Sequence, residues 1–331
     1  VRNLTAATRK IVIDRLLELG LETIRLPLDA SQEDNHVPIL VSKGIADKNR
    51  VLVLFGERNA EPGILSWRVM GEESIRSGSL VDFVNAFLSG PSPMAHHHDA
   101  PGIVITNPCQ LLWYRGGGRA VSFNEWMALP RPTAVHEAMR VDEVKNKIPK
   151  NRDYEEHVKY IFEHVLTRLV KKEATLDIVG IEYPGSAAME YLSSHCRRLE
   201  VYRDGTISLT SVLGDLWSSR ITGMSLIAPQ HKVQDLIDTE APPTFINFLT
   251  RRCRAYFVTD SVIETPIAGR EKFGCNCYSS GESSFQDSAM VRCWRHILDW
   301  FNMLHTKSDY EEPEFMIMGA DGSEDVNLGW G

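Results

Sequence analysis

The sequence lacks every cysteine spacing that marks a zinc site, while an even count of cysteines leaves disulfides open. Its six cysteines, at 109, 196, 253, 275, 277 and 293, include no Cys-x-x-Cys pair. They read as buried free thiols, which suits a reducing compartment, cytosol or nucleus. No apolar run approaches the roughly 20 residues that cross a bilayer, so no membrane association is expected. No signal peptide opens the chain, and because it starts at Val1 rather than a methionine an upstream segment stays open. Basic charge is also short. With 36 Lys and Arg against 44 Asp and Glu the net charge is −8, which disfavours general attraction to nucleic acid or an anionic membrane. What remains is globular: 43% of the 331 residues are hydrophobic, enough to cover a central sheet.

The apolar material is organised as strand, helix, strand. Short runs at 37–42, 50–56, 102–107, 176–182, 221–228 and 254–259 read as buried strands, with 274–278 a last short one. Between them, 78–88 puts Leu80, Phe83, Val84, Phe87 and Leu88 on one helical face, and 154–172 carries a stripe from Val158 to Leu169. A closing helix is expected after Ser283 and Gln286, which have capping-box spacing, with Met290, Trp294, Ile297, Phe301 and Leu304 along its face. This alternation predicts an α/β fold with a mostly parallel central sheet and helices on both faces. One domain is expected over 1–308, best supported over 35–305. Residues 309–331 read as an acidic, flexible tail in which Phe315, Met316, Ile317, Met318 and Trp330 are the residues able to dock.

The run from Leu176 to Ile181 enters Glu182-Tyr183-Pro184-Gly185-Ser186, where an α/β-hydrolase carries its nucleophile elbow. The elbow residue is Glu182, not serine. The triad acid position is filled by Asp260, but the segment after the last strand, Tyr278 to Glu282, holds no histidine before His296. Ser186 and Ser280 are the displaced nucleophile candidates, with His136 and His231 as loop imidazoles. The plainer reading makes Ser186 a helix N-cap and Glu182 an acid favoured by the helix dipole. An alternative has Glu182 anchoring an arginine of Trp113–Arg119.

Arg115-Gly-Gly-Gly-Arg119 offers two guanidinium groups and open backbone amides to an anion or a partner, or is simply a turn. It is not a P-loop, since Gly-x-x-x-x-Gly-Lys-Ser/Thr is absent. His96, His97, His98 and Asp99 have metal-ligand chemistry, but three consecutive residues do not face one ion, and a solvated loop is expected. No cofactor is expected. Arg251-Arg252-Cys253-Arg254 reads as a solvated helix end or a contact for an acidic partner.

Thr106–Ala120, the elbow without its serine, Arg254–Val258 and Phe273–Glu282 together resemble the Arb-type domain, named for an Argonaute-binding protein of fission yeast. A similar domain ends the fungal class II histone deacetylases. The resemblance implies an α/β-hydrolase-like fold serving gene silencing in the nucleus or cytoplasm. The implied partners are an Argonaute complex with its small RNA or, in the deacetylase branch, histones and deacetylase subunits, with self-association. Direct nucleic-acid binding is not expected. Relatives with a serine elbow depart from this chain at Glu182, leaving Glu182, Ser186, Asp260, Ser280 and Glu282 as degenerate active-site positions.

Overall fold

The computed structural model describes residues 2–90, 100–130, 133, 139–195, 217, 219–307, 309–315 and 317. The chain divides into two compact units, Val1–Ala174 and Thr175–Gly331.

The first unit carries β1 (Leu21–Leu26), β2 (Val37–Ser42), β3 (Arg50–Phe55) and β4 (Gly102–Ile105) in the order β1-β2-β4-β3. β2 is antiparallel to β1 and β4, while β3 and β4 are parallel. Val51 to Phe55 and Ile103 to Ile105 are fully buried, which is why these strands read as continuous apolar runs instead of alternating ones. The helix Val81–Ser89 buries Val81, Phe83, Val84 and Phe87. The stripe after Tyr154 is helical as expected, with a π-turn over Ile161–Leu166.

Both ends of the 108–152 excursion are tied to one imidazole. The Asn107 backbone N–H donates to His157 Nε2 at 3.1 Å, and His157 Nδ1 bonds Asn151 Oδ1 at 2.7 Å. Nε2 accepts, so the proton sits on Nδ1, and full burial lowers the His157 pKa to about 3. Within the excursion, β5 (Leu112–Tyr114) and β6 (Arg119–Val121) form a hairpin. Its turn uses Gly118 at φ 57°, a conformation that costs a side chain. Leu112, Val121, Trp126 and Leu129 give the hairpin its own small core, with Tyr114 and Val141 packed against it.

The second unit carries β7 (Thr175–Ile181), β8 (Ile221–Ile227), β9 (Cys253–Phe257), β10 (Pro266–Ile267) and β11 (Asn276–Ser279). β7, β8, β9 and β11 form a parallel ladder in that order, and β10 closes its edge antiparallel to β11. Helices cover both faces. Asp177 is in register with Gly223; Asp177 meets His305, and a Cβ at Gly223 would meet Leu304 and Trp300, so this face looks onto the helix Ala289–Thr306. Gly180, three residues from Asp177 and therefore on the other face, approaches Gly185 of the helix Glu182–His195.

Three expectations are corrected here. Gln286 makes no capping box, because the closing helix begins at Ala289 after a short 3₁₀ turn and the Gln286 side chain is used elsewhere. The segment from Asp309 is not a free tail over 309–315. Its Glu312 is buried, and the carboxylate accepts from Arg254 Nε at 2.5 Å, Tyr278 Oη at 2.9 Å, Asn276 Nδ2 at 3.1 Å and Tyr310 Oη at 3.0 Å. Phe315 packs edge-on to Tyr278. Arg254 is accordingly a buried strand residue and not part of a solvated helix end: its charge lies between the rings of Tyr278 and Trp300. Met316, Met318 and Trp330 lie outside the described residues.

Candidate functional site

β7 ends at Ile181 and the helix Glu182–His195 begins at the next residue. So abrupt a reversal forces one residue into the left-handed region, and Glu182 takes it at φ 50°. That conformation costs a non-glycine residue about 1–3 kcal/mol. The turn closes because strand and helix touch backbone to backbone: a Cβ at Gly180 would lie 2.5 Å from the Gly185 Cα. Strand, strained turn and helix reproduce the nucleophile elbow of an α/β-hydrolase-like fold, with a carboxylate at its apex.

That carboxylate is engaged by the chain itself. Gln286 Nε2 donates to Glu182 Oε1. Gln286 is brought there by Glu282, whose Oε1 accepts from the Ser284 and Phe285 backbone N–H groups at 3.1 and 3.3 Å and folds the chain back. Glu282 also lies 3.6 Å from Arg292. The elbow acid and Glu282, degenerate positions in the sequence, are thus linked through one loop. Arg119 does not supply the expected anchor: it pairs with Glu125 at 2.6 Å, while Arg115 is exposed at the hairpin turn.

Ser186 lies inside its helix instead of capping it. Its Oγ donates to the Glu182 carbonyl at 3.2 Å and accepts from the Gln230 N–H at 2.8 Å, tying the elbow helix to the loop after β8. Ser280 is fully buried, and its Oγ accepts from the Glu282 N–H at 3.3 Å. Asp260 is exposed three residues past β9, beside Thr259, whose N–H bonds the Glu282 carbonyl at 2.9 Å. The loops after β9 and β11 therefore meet, as a triad acid and its histidine would require, but no imidazole stands in them.

The described histidines of this unit are committed elsewhere. His231 is buried with Nε2 on the Phe273 carbonyl at 2.9 Å, and burial lowers its pKa to about 4. His296 pairs with Glu264 at 2.9 Å and His305 with the buried Asp177 at 3.0 Å. Among the described hydrogen bonds, none joins Ser186 or Ser280 to an imidazole. His136 and the His96–Asp99 group lie outside the described residues. Among the described residues no three His, Cys, Asp or Glu side chains gather as a metal site, and no helix is long and apolar enough to cross a membrane. Cys109, Cys253, Cys275, Cys277 and Cys293 are free and buried, with thiol pKa values raised by desolvation at Cys109, Cys253, Cys277 and Cys293.

The family model for the Arb2 domain matches residues 2–262. No curated protein matches the chain in sequence. Among solved structures, a histone deacetylase from Saccharomyces cerevisiae aligns at 11% identity over 91% of this chain and 97% of its own, with a TM-score of 0.44. A truncated carbohydrate esterase from gut microbiota aligns at 12% identity over 87% and 96%, TM-score 0.34. A fungal esterase from Rhizomucor miehei aligns at 12% identity over 92% and 90%, TM-score 0.32.

Proposed function

This chain belongs to the Arb2 domain family, and we propose that it is a non-catalytic protein-interaction module of small-RNA-directed heterochromatin silencing, binding Argonaute or its complex partners. The elbow carries this reading. Hydrolase backbone geometry persists at Glu182, but the residue there is a carboxylate held by Gln286. Ser186 and Ser280 are bonded to backbone groups and not to a base, so neither is activated near neutral pH. The net charge of −8 favours protein surfaces over RNA, and the buried thiols suit nucleus or cytoplasm.

One second reading has its own support. A histone-binding, dimerising domain of a fungal class II histone deacetylase would use the same acidic balance against basic histone tails. An esterase with a rearranged site is less supported, because it needs an imidazole at Ser186 or Ser280 and His231 is held by Phe273.

Affinity purification of the tagged full-length protein from its native cells, with mass spectrometry and small-RNA sequencing of what co-purifies, tests the choice. Argonaute with small RNA supports the silencing module, and histones with deacetylase subunits support the second reading. Recovery of neither overturns both.

A further inference from the structure

Residues 309–315 dock on the second unit through side chains instead of a backbone ladder. Among the described hydrogen bonds, the backbone of this segment contributes only the local Tyr310 N–H to Lys307 carbonyl bond and the Pro313 carbonyl, which accepts from Asn276 Nδ2 at 2.9 Å. Acidic side chains do the rest. Glu311 pairs with Arg251, Glu312 with Arg254, and Glu314 with Arg270 at 3.3 Å, while Phe315 stands edge-on to Tyr278. Glu311 and Glu314 are exposed, so the buried Glu312 carboxylate is the anchor and its neighbours are read at the flanks.

The groups that receive Glu312 are held in place without it. The Arg254 guanidinium lies 4.9 Å from the Tyr278 ring centre and 5.0 Å from that of Trp300, and its Nη1 is 3.5 Å from Glu264. Arg270 Nη1 donates to Asn276 Oδ1, which leaves the amide Nδ2 to face Glu312 and Pro313. Asn276 and Tyr278 are alternate residues of β11 and so share one face, and Arg254 is the register partner of Asn276 on β9. A receptor fixed by stacking and by bonds that do not involve its occupant binds a replacement at little ordering cost.

Its chemistry selects what it takes. A buried guanidinium, an amide N–H and a phenol O–H converge on one carboxylate, and Arg251 and Arg270 receive the acids on either side. Arginine clusters read acidic linear segments in this way. We infer that Arg254, Asn276 and Tyr278, flanked by Arg251 and Arg270, form a receptor for an acidic Glu-x-Glu-aromatic segment of a partner protein, and that residues 311–315 occupy it in cis until such a segment displaces them. The tethered segment acts at an effective concentration on the order of millimolar, so it keeps out weak acidic peptides and yields to tight ones. The receptor shares no residue with the elbow and does not depend on the silencing role, since its test reads direct peptide binding.

Fluorescence anisotropy of a labelled peptide spanning residues 309–315 tests it on the full-length chain, with Glu312→Ala and the double variant Glu314→Ala, Phe315→Ala as chains whose own segment is weakened. Both variants are expected to bind the peptide at least about ten-fold more tightly than the wild type, whose tethered segment competes, and the affinity should fall as salt rises. The double variant, at an exposed and a half-buried position, keeps the test decisive if Glu312→Ala does not fold. A second peptide retains only Glu-Pro-Glu-Trp between glycines. It should compete with the first, and the same peptide with alanine for its first glutamate should not. Binding should raise the unfolding midpoint of the variants and leave that of the wild type unchanged. Equal binding by all three chains, no binding by either variant, or no competition by the glycine-framed peptide overturns the receptor; the last outcome makes the site private to this chain.

Discussion

Glu182 and Gln286, 104 residues apart in sequence, are joined side chain to side chain at the turn where a hydrolase nucleophile would stand. The elbow strain is thereby kept and its apex occupied. Glu182→Gly relieves the positive φ and loses the hydrogen bond, whereas Glu182→Ala loses the bond and keeps the strain. The glycine variant should be more stable than the alanine variant by about 1 kcal/mol, read from paired urea unfolding curves. Equal midpoints would mean that residue 182 does not carry the strain.

Gly180 and Gly71 should respond to alanine in opposite directions. At Gly180 the new Cβ meets the Gly185 backbone at 2.5 Å, while at Gly71, in the helix Trp67–Glu72, nothing lies within 4 Å. Gly180→Ala is expected to cost about 1–3 kcal/mol through overpacking, and Gly71→Ala to stabilise by up to about 1 kcal/mol. Thermal unfolding of the two variants beside wild type checks both signs.

Removing one partner of the buried Arg254–Glu312 pair should be severe. Glu312→Ala removes the buried partner of the Arg254 guanidinium, leaving it the half-exposed Glu264 at 3.5 Å, and takes the acceptor from Tyr278 Oη and one of two from Asn276 Nδ2, an expected loss of about 3 kcal/mol. Glu311→Ala, at an exposed ion pair with Arg251, should change stability by less than about 1 kcal/mol. Denaturant unfolding of both variants distinguishes a docked segment from a loose tail, for which the two effects would be alike.

His157 and His231 should make the fold acid-sensitive above the carboxylate range. Their folded pKa values, about 3 and about 4, lie below the ordinary histidine value. The unfolded chain takes up protons that the folded chain refuses as pH drops below about 6.5. Stability is therefore unaffected by these groups above that pH and falls below it, by up to about 1.4 kcal/mol per pH unit for each, until the folded pKa is reached. Unfolding free energies between pH 7.5 and 5 should show this slope, and His231→Gln should reduce it.

The strands of the second unit are legible because β7, β8 and β9 are buried on both faces and so read as mainly apolar runs without alternation, despite Asp177, Ser225 and Arg254 within them. The elbow was legible because Gly180 and Gly185 mark a close approach of backbones. Ser186 resembles a cap in the sequence for a local reason: Pro184-Gly185 looks like a helix breaker, yet Pro184 falls in the first turn, where its missing N–H costs nothing. Gln286 has capping-box spacing, and only the fold shows its better partner at Glu182. Glu312 sits in an acidic stretch that argues for solvent, and the Arg254 that pairs with it lies 58 residues away. Partners so distant leave no periodicity to read.

Hydrolysis of p-nitrophenyl acetate and butyrate by the purified full-length chain, beside Glu182→Ala, Ser186→Ala and Ser280→Ala, tests the absence of catalysis at the elbow most directly. All four proteins should match one another at the rate of uncatalysed turnover. Wild-type turnover above that rate and abolished by Ser186→Ala or Ser280→Ala would contradict it and make the elbow a rearranged active site.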